Sequence, residues 1–347
     1  MQEEQPNTDT ELRDDLYEHH RFEVDKGQEP LRIDKYLMNR IEAISRNKLQ
    51  NAATADSILV NGKPVKSNYK VRPRDVITIV LDVPPKDFRA EPENIPLDII
   101  FEDEHLLVLN KPPGLVVHPA VGNFTGTLVN ALLYHLKNLP SGVSNMRPGL
   151  VHRLDKDTSG LMVIAKEEFA LMHLAKQFFN RTIKRNYSAL AWGDFENDEG
   201  TITGHIGRNL RDRKKMDVFP EGEHGKEAVT RYKVLERLGY VTLVDCKLET
   251  GRTHQIRVHM AHSGHPLFSD STYGGDRIAK GTVYSKYKQF VDNCFSIFPR
   301  QALHARTLGF IHPATGKEMF FESPLPDDFQ ALLEKWRGYF ERAVRDK

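Results

Sequence analysis

Apolar residues recur along this chain in two rhythms, and the change between them divides it. From Leu31 to Ile41 they fall four apart, at Ile33, Leu37 and Ile41, with Arg32, Lys35 and Arg40 off that stripe. This is the spacing of one helical face. Ser45 stands where an N-cap would, ahead of a second helix carrying Arg46, Lys48 and Leu49. The period then shortens to a strand at Ile58–Val60, an Asn61-Gly62 hairpin turn, and a strand at Val76–Leu81. Two basic helices followed by a small hairpin sheet make a compact module over residues 21–82. Residues 1–20 are polar and acidic without apolar periodicity, the composition of a disordered tail. Residues 83–96 hold Pro84, Pro85, Pro92 and Pro96 among charges and read as a linker.

The remainder, 97–347, reads as a second domain. Leu97–Phe101 and Leu106–Leu109 predict a hairpin around Glu102–His105, and Leu115–His118 a third strand. Thr127–Leu139 predicts a helix, with Leu128, Ala131, Leu132, His135 and Leu136 on one side. Leu161–Ala165 is a buried strand, and Glu167–Asn180 a helix with a stripe of Ala170, Leu171, Leu174, Ala175 and Phe178. Strands follow at Lys184–Trp192 and Val241–Leu248. Thr253 is placed to cap a helix from His254 to Ser263, ended by Gly264. A strand runs through Phe310, and an amphipathic helix covers Asp327–Val344. Gly207–Lys215, with Arg208, Arg211, Arg213, Lys214 and Lys215, has no apolar period and reads as an exposed basic loop open to a phosphate.

Composition adds limits. The 347 residues suffice for two domains and a sizeable core; 39% are hydrophobic and 28% charged, the proportions of a soluble protein. No apolar run reaches membrane-spanning length, so no membrane partner is expected. The acidic start lacks a signal-peptide pattern, and two cysteines are too few for a disulfide framework. A cytoplasmic monomer is the simplest expectation. The net charge of +1 hides an asymmetry: Met1–His20 carries seven acidic residues against one basic, and Leu31–Val80 ten basic against four acidic. A locally basic module points to an anionic partner, RNA or DNA first.

The densest chemistry lies at Val151–Lys166, VHRLDKDTSGLMVIAK. Asp155 sits between Arg153 and Lys156 on a polar turn backed by the buried strand. A carboxylate placed this way suits a site-bearing element; a salt-bridged surface turn would look the same. A kinase loop is excluded, because Leu154 interrupts His-Arg-Asp and Gly160 stands where the loop's Asn would be. Asp155 with Asp157 is a weak case for a two-carboxylate hydrolase. His254, His259, His262 and His265 lack a metal-binding helical spacing, so no metal is expected. Arg257, on the first turn of its helix, would need a carboxylate partner if buried. Tyr187, in a strand, reads as packing unless it faces a site.

Two resemblances build on these residues. The helix, SRNKLQ helix and LVNGKPV hairpin resemble the alpha-L RNA-binding domain, which implies RNA contacts from Arg46 and Lys48. The ordered stretches IPLDIIFEDEHLLVLNKPPGLVVHP, VHRLDKDTSGLMVIAK, LETGRTHQIRVHMAHSGHP and RQALHA resemble the RluA-type pseudouridine synthases, of the large-subunit ribosomal D type. That resemblance implies an α+β catalytic domain with a mixed, mostly antiparallel central sheet. It implies isomerisation of uridine to pseudouridine in large-subunit ribosomal RNA, without metal or organic cofactor. It puts the catalytic carboxylate on Asp155, the base-stacking tyrosine on Tyr187, the carboxylate's arginine on Arg257, and the arginine that fills the flipped base's vacancy on Arg153. With an RNA partner, Arg208 becomes a candidate phosphate contact.

Overall fold

A computed structural model describes residues 17–41, 44–81, 90–119, 123–136, 149–210, 212 and 215–345. They form two compact units, one built from Met1–Ala90 and His118–Thr125 and one from Glu91–Val117 and Gly126–Lys347. The division after Ala90 falls inside the stretch expected to be a linker, 83–96; residues 83–89 of that stretch, with residue 82 before it, lie outside the described ones.

The first unit comprises β1 (Tyr17–Glu23), α1 (Ile33–Met38), α2 (Arg46–Thr54), β2 (Ile58–Val60), β3 (Lys63–Pro64) and β4 (Val76–Leu81). Its sheet order is β1-β4-β2-β3. Ile33, Leu37, Leu49, Ile58, Ile77 and Ile79 close one core between the helices and the sheet. The Ser45 hydroxyl accepts the Lys48 amide and caps α2 as expected. Two boundaries differ from the sequence expectation. The acidic tail was expected to be disordered to His20, yet β1 begins at Tyr17, whose ring is buried and which pairs with Leu81. Residues 1–16 lie outside the described ones. α1 is six residues where eleven were expected. Its start is pre-empted because the backbones of Leu31 and Ile33 bond to Val71 and Tyr69. A chain already paired at its N-terminal side cannot open a helix there.

The second unit continues with β5 (Ile99–Glu102), β6 (Leu106–Lys111), α3 (Leu128–His135), β7 (Ser159–Ala165), α4 (Glu168–Phe179), β8 (Lys184–Trp192), β9 (Glu199–Arg208), β10 (Met216–Phe219), β11 (Lys226–Arg237) and β12 (Val241–Leu248). It ends with α5 (Gln255–His262), α6 (Ser285–Ile297), β13 (Leu303–Ile311), β14 (Glu318–Glu322) and α7 (Asp327–Arg345). Ten strands form one sheet in the order β10-β9-β11-β12-β8-β13-β7-β6-β5, with β14 paired to β13. Every pairing is antiparallel except β13 with β7, so the sheet is mixed and mostly antiparallel, as expected. That parallel seam explains Gly160: a Cβ there would lie 2.3 Å from the Ala305 carbonyl oxygen, and its φ of +119° suits only glycine.

Helices cover both faces. Trp192, Phe268, Tyr287, Phe298, Phe329 and Trp336 bury one face under α6 and α7. Leu106, Val163, Ala170, Leu174 and Phe310 bury the other under α4. Leu115–His118 is not the strand expected: the Val116 and Val117 carbonyls accept the first amides of α3, Leu128 and Val129. Those amides have no partner within their own helix, and the loop satisfies them. Nor does Thr253 cap α5. The N-cap is His254, in the left-handed region at φ +53° with no side-chain cap bond. The Gln255 side-chain oxygen instead takes the Thr250 hydroxyl and the Arg252 amide. Gly207 and Arg208 belong to β9, paired with Asp217 and Met216, not to a loop; Arg211, Arg213 and Lys214 lie outside the described residues. Among the described residues no helix is long and apolar enough to cross a membrane.

Candidate active site

The turn bearing Asp155 runs into β7 and is held from several sides. Lys111, at the end of β6, is fully buried, and its ammonium donates to the carbonyls of Pro112, Leu115 and Lys156 at 2.8–2.9 Å. A buried ammonium is costly without compensation, and three carbonyl dipoles supply it. Arg300 forks onto Asp328 and donates to the Asp157 carbonyl at 3.1 Å. Gln301 donates to the Thr158 hydroxyl. The turn is thus locked through its backbone, leaving the Asp155 carboxylate free to face a cavity of about 370 Å³.

The cavity is lined by Arg153, Asp155, Arg185, Tyr187, His254 and Arg257, among others. Asp155 is its single carboxylate among the described residues. Asp157 does not line it, which leaves the two-carboxylate hydrolase without its second group. Arg257 arrives on α5, 97% buried, and its Nη1 donates to Asp155 Oδ2 at 3.1 Å. The rest of its fork is taken by Asp270: Nε to Oδ2 at 2.8 Å, Nη2 to Oδ1 at 2.9 Å. Nη2 also donates to the Thr272 hydroxyl. Asp270 is itself fully buried and accepts the Thr272 and Tyr273 amides. One buried guanidinium therefore carries two carboxylates, one enclosed and one facing the cavity.

Electrostatics follow from this arrangement. Burial alone pushes the Asp155 carboxyl up, but His254, Arg257 and Arg153 outweigh it and hold the group below the usual carboxylate range. It is ionised at neutral pH. Burial pushes the Tyr187 phenol up, keeping it protonated. Tyr187 lies on β8 between Cys246 and Ala305, its ring almost fully enclosed. Beside it, Arg185 stacks over Phe178 at 5.1 Å, and Phe178 stacks on His152 at 4.7 Å. His152 Nε2 accepts the Val163 amide, and burial with the nearby Arg185 charge pushes its pKa down to about 3. That imidazole is a neutral wall.

Four expected residues, Asp155, Tyr187, Arg257 and Arg153, meet at this cavity. The others do not. Arg208 ends β9 and does not line it. Arg46 and Lys48 sit on α2 in the other unit. Arg46 is half committed, its Nε 3.2 Å from the buried Asp34; the Lys48 side chain is exposed. Sequence reading missed Asp270, Lys111, His254 and Tyr273. The requirement that a buried Arg257 have a carboxylate pointed to one partner; the second had no signal beyond an unplaced aspartate in HPLFSDSTYGG. His254–His265 form no metal cluster, and none is found among the described residues.

A mixed sheet carrying a lone cavity carboxylate on a buried arginine, with a small basic helical module ahead of it, defines a class. The RNA pseudouridylate synthase family matches residues 105–262, and the S4 domain matches 31–77, inside the module expected at 21–82. The chain belongs to the RNA pseudouridine synthase family and is an isomerase with an N-terminal S4 RNA-binding domain. An uncharacterised RNA pseudouridine synthase of Chlorobaculum parvum is 50% identical over 91% of this chain and 97% of its own length. The ribosomal large subunit pseudouridine synthase D of Zymomonas mobilis is 43% identical over 87% and 93%. The solved structure of human RNA pseudouridylate synthase domain containing 4 superposes with a TM-score of 0.52 at 26% identity, covering 69% of this chain and 92% of that one.

Proposed function

We propose that this enzyme isomerises uridines of large-subunit ribosomal RNA, with Asp155 as the reacting carboxylate. The observation that carries the proposal is the 3.1 Å contact between Asp155 and the buried Arg257, in a cavity with no second carboxylate among the described residues. Pseudouridine formation breaks the N1–C1′ bond, turns the uracil, and joins C5 to C1′. The proton leaving C5 is balanced by one gained at N1, so the reaction calls on no cosubstrate. An ionised carboxylate can attack C1′ or C6, or take a proton from C2′. Each route needs Asp155 charged despite partial burial. A guanidinium meets that need, because it never loses its proton and binds in a fork.

Tyr187 and Arg153 complete the reading. The target base must leave its stack at a cost of roughly a few kcal/mol. Arg153, two residues from Asp155 and half-exposed at the cavity, is the side chain to occupy the vacancy. Tyr187 offers a ring for the extruded uracil and a protonated phenol near C5. Stacking of this kind is worth roughly 1–3 kcal/mol. Arg46, Lys48 and Arg208 are proposed phosphate contacts, and the cytoplasm the place of action. The ribosomal substrate is supported by the relatives named ribosomal large subunit pseudouridine synthase D, from Zymomonas mobilis and Nitrosomonas europaea. Release of tritium from RNA labelled at uridine C5 tests the chemistry: wild type releases label, and Asp155→Asn releases none while still binding RNA. Turnover by Asp155→Asn would refute the assignment. Mapping pseudouridines in ribosomal RNA from a strain lacking the gene tests the substrate.

A further inference from the structure

The second oxygen of Asp155 faces a side chain with no assigned part in the reaction. His254 Nε2 lies 4.0 Å from Asp155 Oδ1, with its imidazole 95% buried. Its backbone is left-handed, φ +53° and ψ +22°, a conformation uncommon outside glycine and one whose strain is kept where the surroundings demand it. The other ring nitrogen, Nδ1, is 3.0 Å from the Tyr273 hydroxyl. The same hydroxyl oxygen accepts the Met216 amide at 3.0 Å.

These contacts fix the direction of each hydrogen. The Met216 N–H can only donate, so the Tyr273 oxygen accepts from it, and among the described residues Nδ1 is the one acceptor the hydroxyl has for its own hydrogen. The Tyr273 O–H hydrogen then goes to Nδ1. Burial raises the Tyr273 pKa, so that hydrogen stays in place near neutral pH. With Nδ1 accepting, the neutral ring carries its hydrogen on Nε2, which faces the carboxylate; the protonated ring, the form whose charge helps hold Asp155 ionised, carries a hydrogen there too. Tyr273 is itself placed against Arg257, whose guanidinium lies 5.4 Å from its ring centre. Arg257 therefore anchors Oδ2, and a tautomer-locked imidazole faces Oδ1.

We infer that His254 is a positioning residue that sets the plane of the Asp155 carboxylate through its Nε2–H, and that the Tyr273 hydroxyl sets the His254 tautomer. The inference rests on Asp155 being the reacting carboxylate. At 4.0 Å the imidazole steers Oδ1 from beyond hydrogen-bond reach, so that oxygen keeps its lone pairs for the nucleoside. The ring is held there from a left-handed turn at the head of α5.

Three variants test this in the full-length enzyme on ribosomal RNA. His254→Gly keeps the left-handed backbone at no steric cost and removes the ring. Tyr273→Phe keeps the ring against Arg257 and removes the hydroxyl. His254→Gln restores an N–H at similar reach. The expected result is a fall in kcat of roughly 10- to 100-fold for His254→Gly and Tyr273→Phe, as for a reacting group held slightly out of place. KM for RNA stays near wild type; the urea midpoint falls somewhat, because each change leaves a buried polar group without its partner, and kcat is read well below that midpoint. The double variant should be no slower than His254→Gly alone, because both act on one carboxylate. His254→Gln should recover several-fold over His254→Gly. A kcat within twofold of wild type for either single variant, or losses that multiply in the double, would overturn the inference. Asp155→Asn is run alongside: an active Asp155→Asn removes the underlying assignment, whereas an inactive Asp155→Asn beside a fully active His254→Gly removes only this one.

Discussion

Asp34 and Asp155 both meet arginine, and the first is a lock while the second is a tool. Asp34 is fully buried in the S4 unit and gives both oxygens away. Arg32 donates to Oδ1 and Oδ2 at 3.1 and 2.8 Å, Arg46 donates to Oδ2, and the Lys35 amide donates to Oδ1. Asp155 accepts one bond from Arg257 and leaves Oδ1 toward the cavity, its side chain 19% exposed. Arg257 satisfies itself elsewhere, through the bidentate pair with Asp270. The two clusters use the same ions, but the Asp34 cluster has two cations on one acid and the Asp155 cluster one cation on two acids. A carboxylate with spare partners is structural. A carboxylate that is second in line on a buried guanidinium stays charged and keeps a face for substrate.

The largest expected effect breaks that comparison at the cavity. Asp155→Asn should lower turnover by at least about 10³-fold, the order seen when a nucleophile is removed. It should cost little stability, because it gives up a single, partly exposed bond. Asp270→Asn should do the reverse in stability. It leaves a buried arginine with half its charge compensated, a change that costs roughly 3–5 kcal/mol. Urea denaturation of the two variants side by side checks this: a smaller loss for Asp270→Asn than for Asp155→Asn would invert the roles assigned to the two acids.

Asp34→Asn comes next in size. The Arg32 hydrogen bond, helped by Arg46 and the Lys35 amide, overcomes burial and holds the Asp34 carboxyl at about 2 against the usual 3.8. A folded-state value below the unfolded one stabilises above the unfolded value and is lost as pH falls through the folded one. The cluster should therefore contribute fully above about pH 4 and fade toward pH 2, by roughly 1–2 kcal/mol. Acid titration of the unfolding free energy should show this step in wild type and its absence in Asp34→Asn, with kcat unchanged in both.

The sequence made the strands of the centre and the start of α2 legible, because their periods are clean and Ser45 is a strong cap. β2, β4, β8 and β12 run where the pattern put them. What it did not show depended on partners far away along the chain. Leu115–His118 has the hydrophobicity of a strand and lost that role to the open amides of α3. Thr253 is a good capping residue, but the left-handed turn at His254 displaces it. The site was legible as far as one motif reached: Asp155 and Arg153 are neighbours in VHRLD, and Arg257 declares a need for an acid. Asp270 and Lys111 carry no such sign. Their importance comes from burial, and burial of a lone aspartate or lysine has no periodic signature.

The smallest expected effect separates Arg46 from Lys48, two cations two positions apart on α2 that look alike in sequence. Arg46 spends its Nε on Asp34 and keeps the rest of a half-exposed guanidinium for solvent. The Lys48 side chain is exposed and makes no ion pair among the described residues. A phosphate contact releases about one counterion, so its loss lowers the slope of log affinity against log salt by about 1. Lys48→Gln should lower that slope for ribosomal RNA while leaving the urea midpoint in place. Arg46→Gln should lower both, because it also uncovers part of the Asp34 charge. If Lys48→Gln leaves the slope untouched, the exposed face of α2 is not where this module meets RNA, and Asp34 with its arginines is then a structural cluster on a surface with no part in binding.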